Sequence, residues 1–178
     1  MSRKGLIIVA VLFLVGFALL ALVARGYRKV EDMQSMAKAM AAVRRDFPAA
    51  RPVTGAELAA LQEGPESLFL FDLRSKEEFE VSRLHHAVHD PETEELLSFA
   101  GRAGRVVLYD SHGARSAKTA EELERRWGKA AYYLEGGIFL WANEGRPLVD
   151  AAGGKAIKVH PRSRLWGRLL DPEVRGEP

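Results

Sequence analysis

The chain is 178 residues long, 47% hydrophobic, and carries 26 Lys and Arg against 24 Asp and Glu, which holds one domain of ordinary size with extensions. It contains no cysteine, so disulfides, thiolate metal sites, iron–sulfur clusters and any thiol nucleophile are excluded. The charge is unevenly spread, with +5 in residues 1–47, −6 in 48–150 and +3 in 151–178; the acidic middle argues against nucleic acid as a partner, and the basic ends suit the neighbourhood of a membrane surface.

The first element is a run of 19 residues without a charge, Leu6 to Ala24, which as a helix spans roughly 29 Å, the thickness of a bilayer core. Residues 1–26 are therefore expected to form a single-pass transmembrane anchor, with the lipid bilayer as partner through residues 6–24. A cleaved signal peptide is the rival reading, with Arg3 and Lys4 as its basic leader. Against it, the apolar run is long, and cleavage before Leu22 or Arg25 would leave Leu19 or Leu22 where a small residue is wanted. A buried soluble helix is the third alternative. Arg25, Arg28, Lys29 and Lys38 follow the run and outnumber Arg3 and Lys4, which places the soluble part in the cytoplasm.

Residues 27–52 read as a stalk helix and linker. From Tyr27 to Asp46 the composition favours helix, and Val30, Met33, Met36, Met40 and Val43 recur near helical spacing. This stripe serves either to pack the helix on its own domain or to receive a partner helix. Pro48 and Pro52 end it.

Beyond the stalk, strand-like and helix-like runs alternate. Thr54 and Glu57 form a capping box that opens a helix, with Val53 at its entrance, and Ser75 caps a second helix with a glutamate three residues on. Leu68 to Phe71 and Arg105 to Tyr109 are short apolar runs of the kind buried on both faces of a sheet. Ala87 to His89 and Ala131 to Leu134 are further strands. Pro91 starts a helix over Glu92 to Ala100, Ser116 to Trp127 forms another, and Ile138 to Asn143 the last. This alternation predicts parallel strands joined by right-handed crossovers, a three-layer α/β domain over residues 53–149. Ligands in such domains collect beyond the C-terminal strand ends, here the loops after Phe71 and Tyr109.

The second of these loops, Asp110-Ser111-His112-Gly113-Ala114-Arg115-Ser116, passes straight into a helix. A Gly-containing turn at a helix N-terminus aims backbone N–H groups inward and can cradle an anion. The side chain at its first position would fill that cradle.

In these segments the chain resembles the rhodanese-like domain. The resemblance is carried by Leu70-Phe71-Asp72-Leu73-Arg74, Glu77-Glu78-Phe79, Arg83-Leu84-His85-His86-Ala87, the loop itself, and Leu134-Glu135-Gly136-Gly137-Ile138-Phe139-Leu140-Trp141 followed by Gly145-Arg146-Pro147. In active rhodaneses the first loop residue is a cysteine that takes up sulfane sulfur as a persulfide. The resemblance places Asp110 there, which implies a degenerate loop with no catalytic nucleophile. The span from Asp110 to Arg115 has the sulfurtransferase length, not the longer one of the phosphatases that share the fold. His85 and His86 depart from the family's usual Pro-Gly, and Arg83 from its frequent His.

Asp72, Arg74 and Glu135 are expected as supporting positions, with Asp72 or Glu135 pairing Arg115. An aspartyl nucleophile at Asp110 is the alternative chemistry, but the haloacid-dehalogenase-like phosphatases want a second Asp two residues on, where this chain has His112. His85, His89 and Asp90 are weak metal candidates: an extended segment puts His85 and His89 on one face and turns His86 away. No metal or other cofactor is expected. In the basic tail, residues 150–178, Trp166, Leu169 and Leu170 share a helical face amid Arg162, Arg164 and Arg168, suited to packing on the domain or to an interface or partner.

The reading as a whole is a membrane-anchored, non-catalytic protein-binding or scaffolding module. The alternative is an enzyme of sulfurtransferase-like or phosphatase-like activity centred on Asp110.

Overall fold

A computed structural model describes residues 3–100 and 104–177. Residues 1–2 of the expected anchor and Pro178 of the tail lie outside the described residues. Helix α1 runs unbroken from Arg3 to Asp46, so the apolar run and the stalk are one rod. Among the described residues no helix is long and apolar enough to cross a membrane. In the apolar stretch of α1, Ile7 exposes 62% of its surface and the large side chains from Leu12 to Val23 expose 51–76%. The stalk end differs: Met36 and Val43 are buried against the domain and Met40 is partly so. Of the two uses for the methionine stripe, the described part serves packing.

The central sheet has five strands: β1 (Arg51–Val53), β2 (Leu68–Asp72), β3 (Val88–His89), β4 (Arg105–Tyr109) and β5 (Tyr132–Leu134). Their order is β1-β5-β4-β2-β3 and every pair is parallel. Side chains of β4 alternate between two cores, as the pleat requires. Val107 and Tyr109 face α2 (Gly55–Glu63), α6 (Gly137–Asn143) and Met36, while Val106 and Leu108 face α4 (Thr93–Ala100) and α5 (Ala114–Trp127). The expected α/β domain with a mainly parallel sheet is therefore present. Capping boxes at Thr54/Glu57 and Ser75/Glu78 start α2 and α3 (Lys76–Val81).

Two local readings differ from the sequence. Val53 closes strand β1 and does not open a helix; Pro52 hid that strand, and its place at the sheet edge is where a residue lacking an N–H is tolerated. Helix α5 begins at Ala114, two residues before the expected Ser116, because Gly113 at φ 102° supplies the left-handed turn at its start.

The described part of the tail, residues 150–177, folds onto the domain. Leu148–Val149 (β6) and Lys155–Ala156 (β7) form an antiparallel pair. A 3₁₀ turn at Trp166–Leu169 packs against α1. Val159, Leu169 and Leu170 are buried in the same core as Met36 and Tyr109. Asn143 holds the segment from both sides of its amide, donating to the Leu169 carbonyl at 2.8 Å and accepting from the Asp171 N–H at 2.9 Å. Burying aliphatic side chains such as Val159 and Leu170 is worth about 1.5–3 kcal/mol each. The apolar face of Leu169 and Leu170 is thus taken by the protein's own core.

Candidate functional site

The loop after β4 sits where parallel sheets of this kind collect ligands. Asp110 is 2% exposed, and its carboxylate is surrounded by donors from the loop. Oδ1 accepts from the Gly113 N–H at 3.0 Å, the Ser116 hydroxyl at 2.8 Å and the Ser116 N–H at 3.3 Å, while Oδ2 accepts from the Arg115 N–H at 3.4 Å. The Arg115 and Ser116 amides belong to the first turn of α5 and Gly113 is its N-cap, so the helix dipole favours the negative charge. The cradle is therefore occupied from within, by the side chain at its own first position.

A second turn locks the loop backbone. The Ile138 and Phe139 N–H groups donate to the carbonyls of Asp110 and Ser111, each at 3.0 Å. This approach depends on Gly137: a Cβ there would lie 2.3 Å from the Asp110 carbonyl oxygen, and the residue's φ is +59°. Gly137 is thus a contact requirement of the Asp110 loop, whereas a Cβ at Gly136 would meet Leu140 of its own helix.

Next to the loop, Asp72 and Arg74 are wholly buried and paired, Nη2 to Oδ2 at 2.7 Å and Nε to Oδ1 at 3.0 Å. Arg74 also donates to the Ser82 carbonyl at 2.6 Å. Its remaining Nη1 has no hydrogen-bond partner among the described residues. Burial would depress the guanidinium, but the charge and hydrogen bonds of Asp72 hold its pKa above the ordinary value. Tyr109 lies beside this pair and accepts from the Leu84 N–H at 3.2 Å; full burial and the Asp72 carboxylate push its phenol well up.

The supporting contacts differ in part from expectation. Arg115 donates to the Leu73 carbonyl and not to Asp72 or Glu135. Glu135 instead pairs with Arg44 on α1 at 2.5 Å. Ser111 donates to Glu78 at 2.9 Å, so the glutamate of the second capping box also anchors the loop. Sequence reading saw the cap and missed the anchor, since one carboxylate serving two elements leaves no separate signal.

His112 is 5% exposed and stacks on Trp166 of the tail, with ring centroids 4.1 Å apart and planes 18° from parallel. Its Nδ1 has no partner among the described residues. Burial lowers its pKa; Asp110 opposes that shift and Arg162 reinforces it. The tail thereby covers the middle of the loop, a contact between residues 54 positions apart that spacing could not reveal.

The metal candidates do not assemble. The rings of His85 and His86 lie 3.7 Å apart and 53° from parallel, with His86 at φ 61°, so this is a turn and not the extended segment expected. His89 Nε2 lies 3.1 Å from the Arg74 carbonyl. Asp90, at φ 36°, uses its N–H to bond the Asp72 carbonyl at 2.8 Å. Among the described residues no group of three or more His, Asp and Glu is disposed to hold a metal.

With this geometry established, comparison with known proteins gives a consistent answer. A family model described as the rhodanese-like domain matches residues 54–144. Among solved structures, a rhodanese-related protein from Thermoplasma volcanium is 27% identical, with 56% of this chain and 97% of that one covered at a TM-score of 0.48. A rhodanese-like domain protein from Staphylococcus aureus is similar at 26% identity, with the same coverage of 56% and 97% and a TM-score of 0.48. A thiosulfate sulfurtransferase from Pseudomonas aeruginosa shares the fold at 20% identity and a TM-score of 0.51, over 61% of this chain and 21% of that enzyme. No curated protein matches.

Proposed function

The chain belongs to the rhodanese-like domain family, and from that premise we propose that it is a membrane-anchored member without sulfurtransferase chemistry, acting as a protein-binding or scaffolding module. The observation that carries this reading is the internal occupation of the loop: the Gly113, Arg115 and Ser116 amides and the Ser116 hydroxyl converge on the Asp110 carboxylate. The resemblance puts a persulfide-forming cysteine at this position, and the chain has no cysteine anywhere. A carboxylate here satisfies the amides and repels the anions a working cradle would recruit. Trp166 over His112 supports the same view, since the loop is covered by the chain's own tail. A partner is then met on the faces that the tail leaves open, because a fold without its chemistry acts through its surfaces.

Anchoring rests on α1. A bare helix whose apolar side chains from Leu12 to Val23 point outward on every side is stable only in an apolar surrounding, and the uncharged run in the sequence extends back to Leu6. The basic excess after the run puts the domain on the cytoplasmic side.

The test is activity of the full-length protein against thiosulfate, mercaptopyruvate and phosphoesters, with Asp110→Asn and Asp110→Cys alongside. The expected outcome is no turnover by the native chain, and a persulfide on the Asp110→Cys variant after thiosulfate, because the α5 N-terminus favours a thiolate at that position. Native turnover that Asp110→Asn abolishes would replace this reading with an Asp110-centred enzyme.

A further inference from the structure

We propose that the outer face of the C-terminal segment, Arg162, Arg164 and Arg168 around Leu165, lies against anionic lipid headgroups at the surface of the membrane that α1 enters. The inference rests on the anchoring reading above and adds a second, electrostatic contact to it.

The segment is two-sided. Inward, Trp166 stacks on His112, and Leu169 and Leu170 are buried in the domain core. Outward, Arg162, Arg164 and Arg168 are exposed and Leu165 shows 66% of its surface. Cations surrounding an exposed aliphatic side chain are the chemistry of a headgroup contact, in which arginines meet phosphates and the apolar group enters the interface. Residues 151–178 carry a net +3, while residues 48–150 carry −6. An anionic surface therefore attracts the tail and repels the body of the domain.

Geometry brings the segment within reach. It packs against α1, and Met36, the first buried residue described on that helix, shares a core with Leu169 and Leu170. Val43, further along α1, packs instead on Ala117 and Tyr133. The tail thus packs on α1 and joins the core that receives Met36, the described buried residue nearest the apolar end of the rod. From Ala24 to Met36 is 12 residues, a rise of about 18 Å along the helix. Headgroups take up about 5–8 Å of that distance. The gap that remains, on the order of 10 Å, is near one Debye length at physiological salt, and helix tilt and arginine length close it.

The absence of native cysteine makes the test direct. A nitroxide is placed on Leu165→Cys in the full chain, reconstituted in phosphatidylcholine nanodiscs with or without about one third phosphatidylglycerol, the anionic lipid the arginines would meet. A second preparation carries the label on Phe17→Cys, and depth is read from collisions with oxygen and with a water-soluble nickel chelate. The label at 165 is expected at headgroup depth in anionic discs only, and to return to water in high salt or when Arg162, Arg164 and Arg168 are changed to Glu. Each cation contributes about fivefold to the partition, so the triple reversal removes the contact.

A label at 165 that stays in water in every disc, while the label at 17 lies in the bilayer, overturns the docking and leaves the anchor intact. A label at 17 that lies in water overturns both. Headgroup depth that survives both salt and charge reversal overturns the electrostatic assignment. The native chain's salt response needs no variant, so the result stands even if the triple variant folds poorly.

Discussion

Asp72 and Asp110 stand at the ends of neighbouring strands, both nearly without solvent, yet their charges are met in opposite ways. Asp72 is held by a guanidinium two residues away, in an ion pair that is itself wholly buried. Asp110 has no cation bonded to its carboxylate among the described residues; it is held by three amides and a hydroxyl of the turn that follows it. One charge is neutralised by another charge, the other by oriented dipoles at a helix start. The two arrangements fail differently. Removing one partner from a buried ion pair leaves an uncompensated charge, whereas removing the carboxylate from a cradle leaves several neutral donors unsatisfied.

The largest effect is therefore expected at Arg74. Arg74→Met should destabilise the domain by about 3–5 kcal/mol, because Asp72 is left charged and buried. Measured by chemical denaturation of the full chain, the double change Asp72→Leu with Arg74→Met should recover most of that loss, as paired removal leaves no orphan charge. Failure of the double variant to recover would mean that the Ser82 and Leu84 contacts around the pair matter more than its charge.

Asp110→Ala should cost less, about 1–3 kcal/mol, since neutral amides lose their acceptor while some gain water. Asp110→Asn keeps one acceptor oxygen and should fall between the native chain and the alanine variant. If Asp110→Ala proves costlier than Arg74→Met, the comparison is inverted and the loop is the keystone of the fold.

The same contrast explains what the sequence made legible. Asp72 and Arg74 were legible as supporting positions at a loop end, but their pairing with each other was not, since the sequence offered Asp72 equally to Arg115. The Asp110 cradle was readable through its Gly113 turn and the helix after it. Caps at Thr54 and Ser75 were equally local. What spacing could not show were contacts between distant segments: Glu78 to Ser111, Arg44 to Glu135, and the tail over His112. Strand β1 was hidden for another reason, being three residues long with a proline inside, so that neither alternation nor propensity could announce it. Leu169 and Leu170 gave a correct apolar face, but an amphipathic segment does not state which core it joins.

A smaller effect is expected where the two regions meet the tail. Trp166→Leu keeps an apolar side chain but loses the stack on His112, with an expected cost of about 1 kcal/mol. Hydrogen exchange should then quicken at the Gly113 and Arg115 amides and stay unchanged at those of β2. Equal quickening at both would mean that the tail supports the whole sheet and not the loop it covers.

The smallest effect is a pH dependence at His112, and it tests whether burial or the Asp110 charge governs the imidazole. Burial is the main influence on this imidazole and opposes its protonation, the charge of Asp110 favours it, and the charge of Arg162, on the exposed side of the tail, opposes it; Trp166 covers its ring. The net shift is downward from the ordinary value of 6.5, so on acidification the unfolded chain takes up the proton first. Between the folded pKa and 6.5 the unfolded state binds more protons, and stability therefore falls as pH drops through that window, levelling once the folded imidazole also titrates. His112→Phe keeps the stack and should abolish that component, matching the native chain's slope at pH 8 and diverging below about 6.5. Titration of the native imidazole by NMR decides the cause. A value below 6.5 means that burial, with Arg162, outweighs the pull of the Asp110 charge, whereas a value above 6.5 would show that charge dominating the imidazole even while Gly113, Arg115 and Ser116 bond to it.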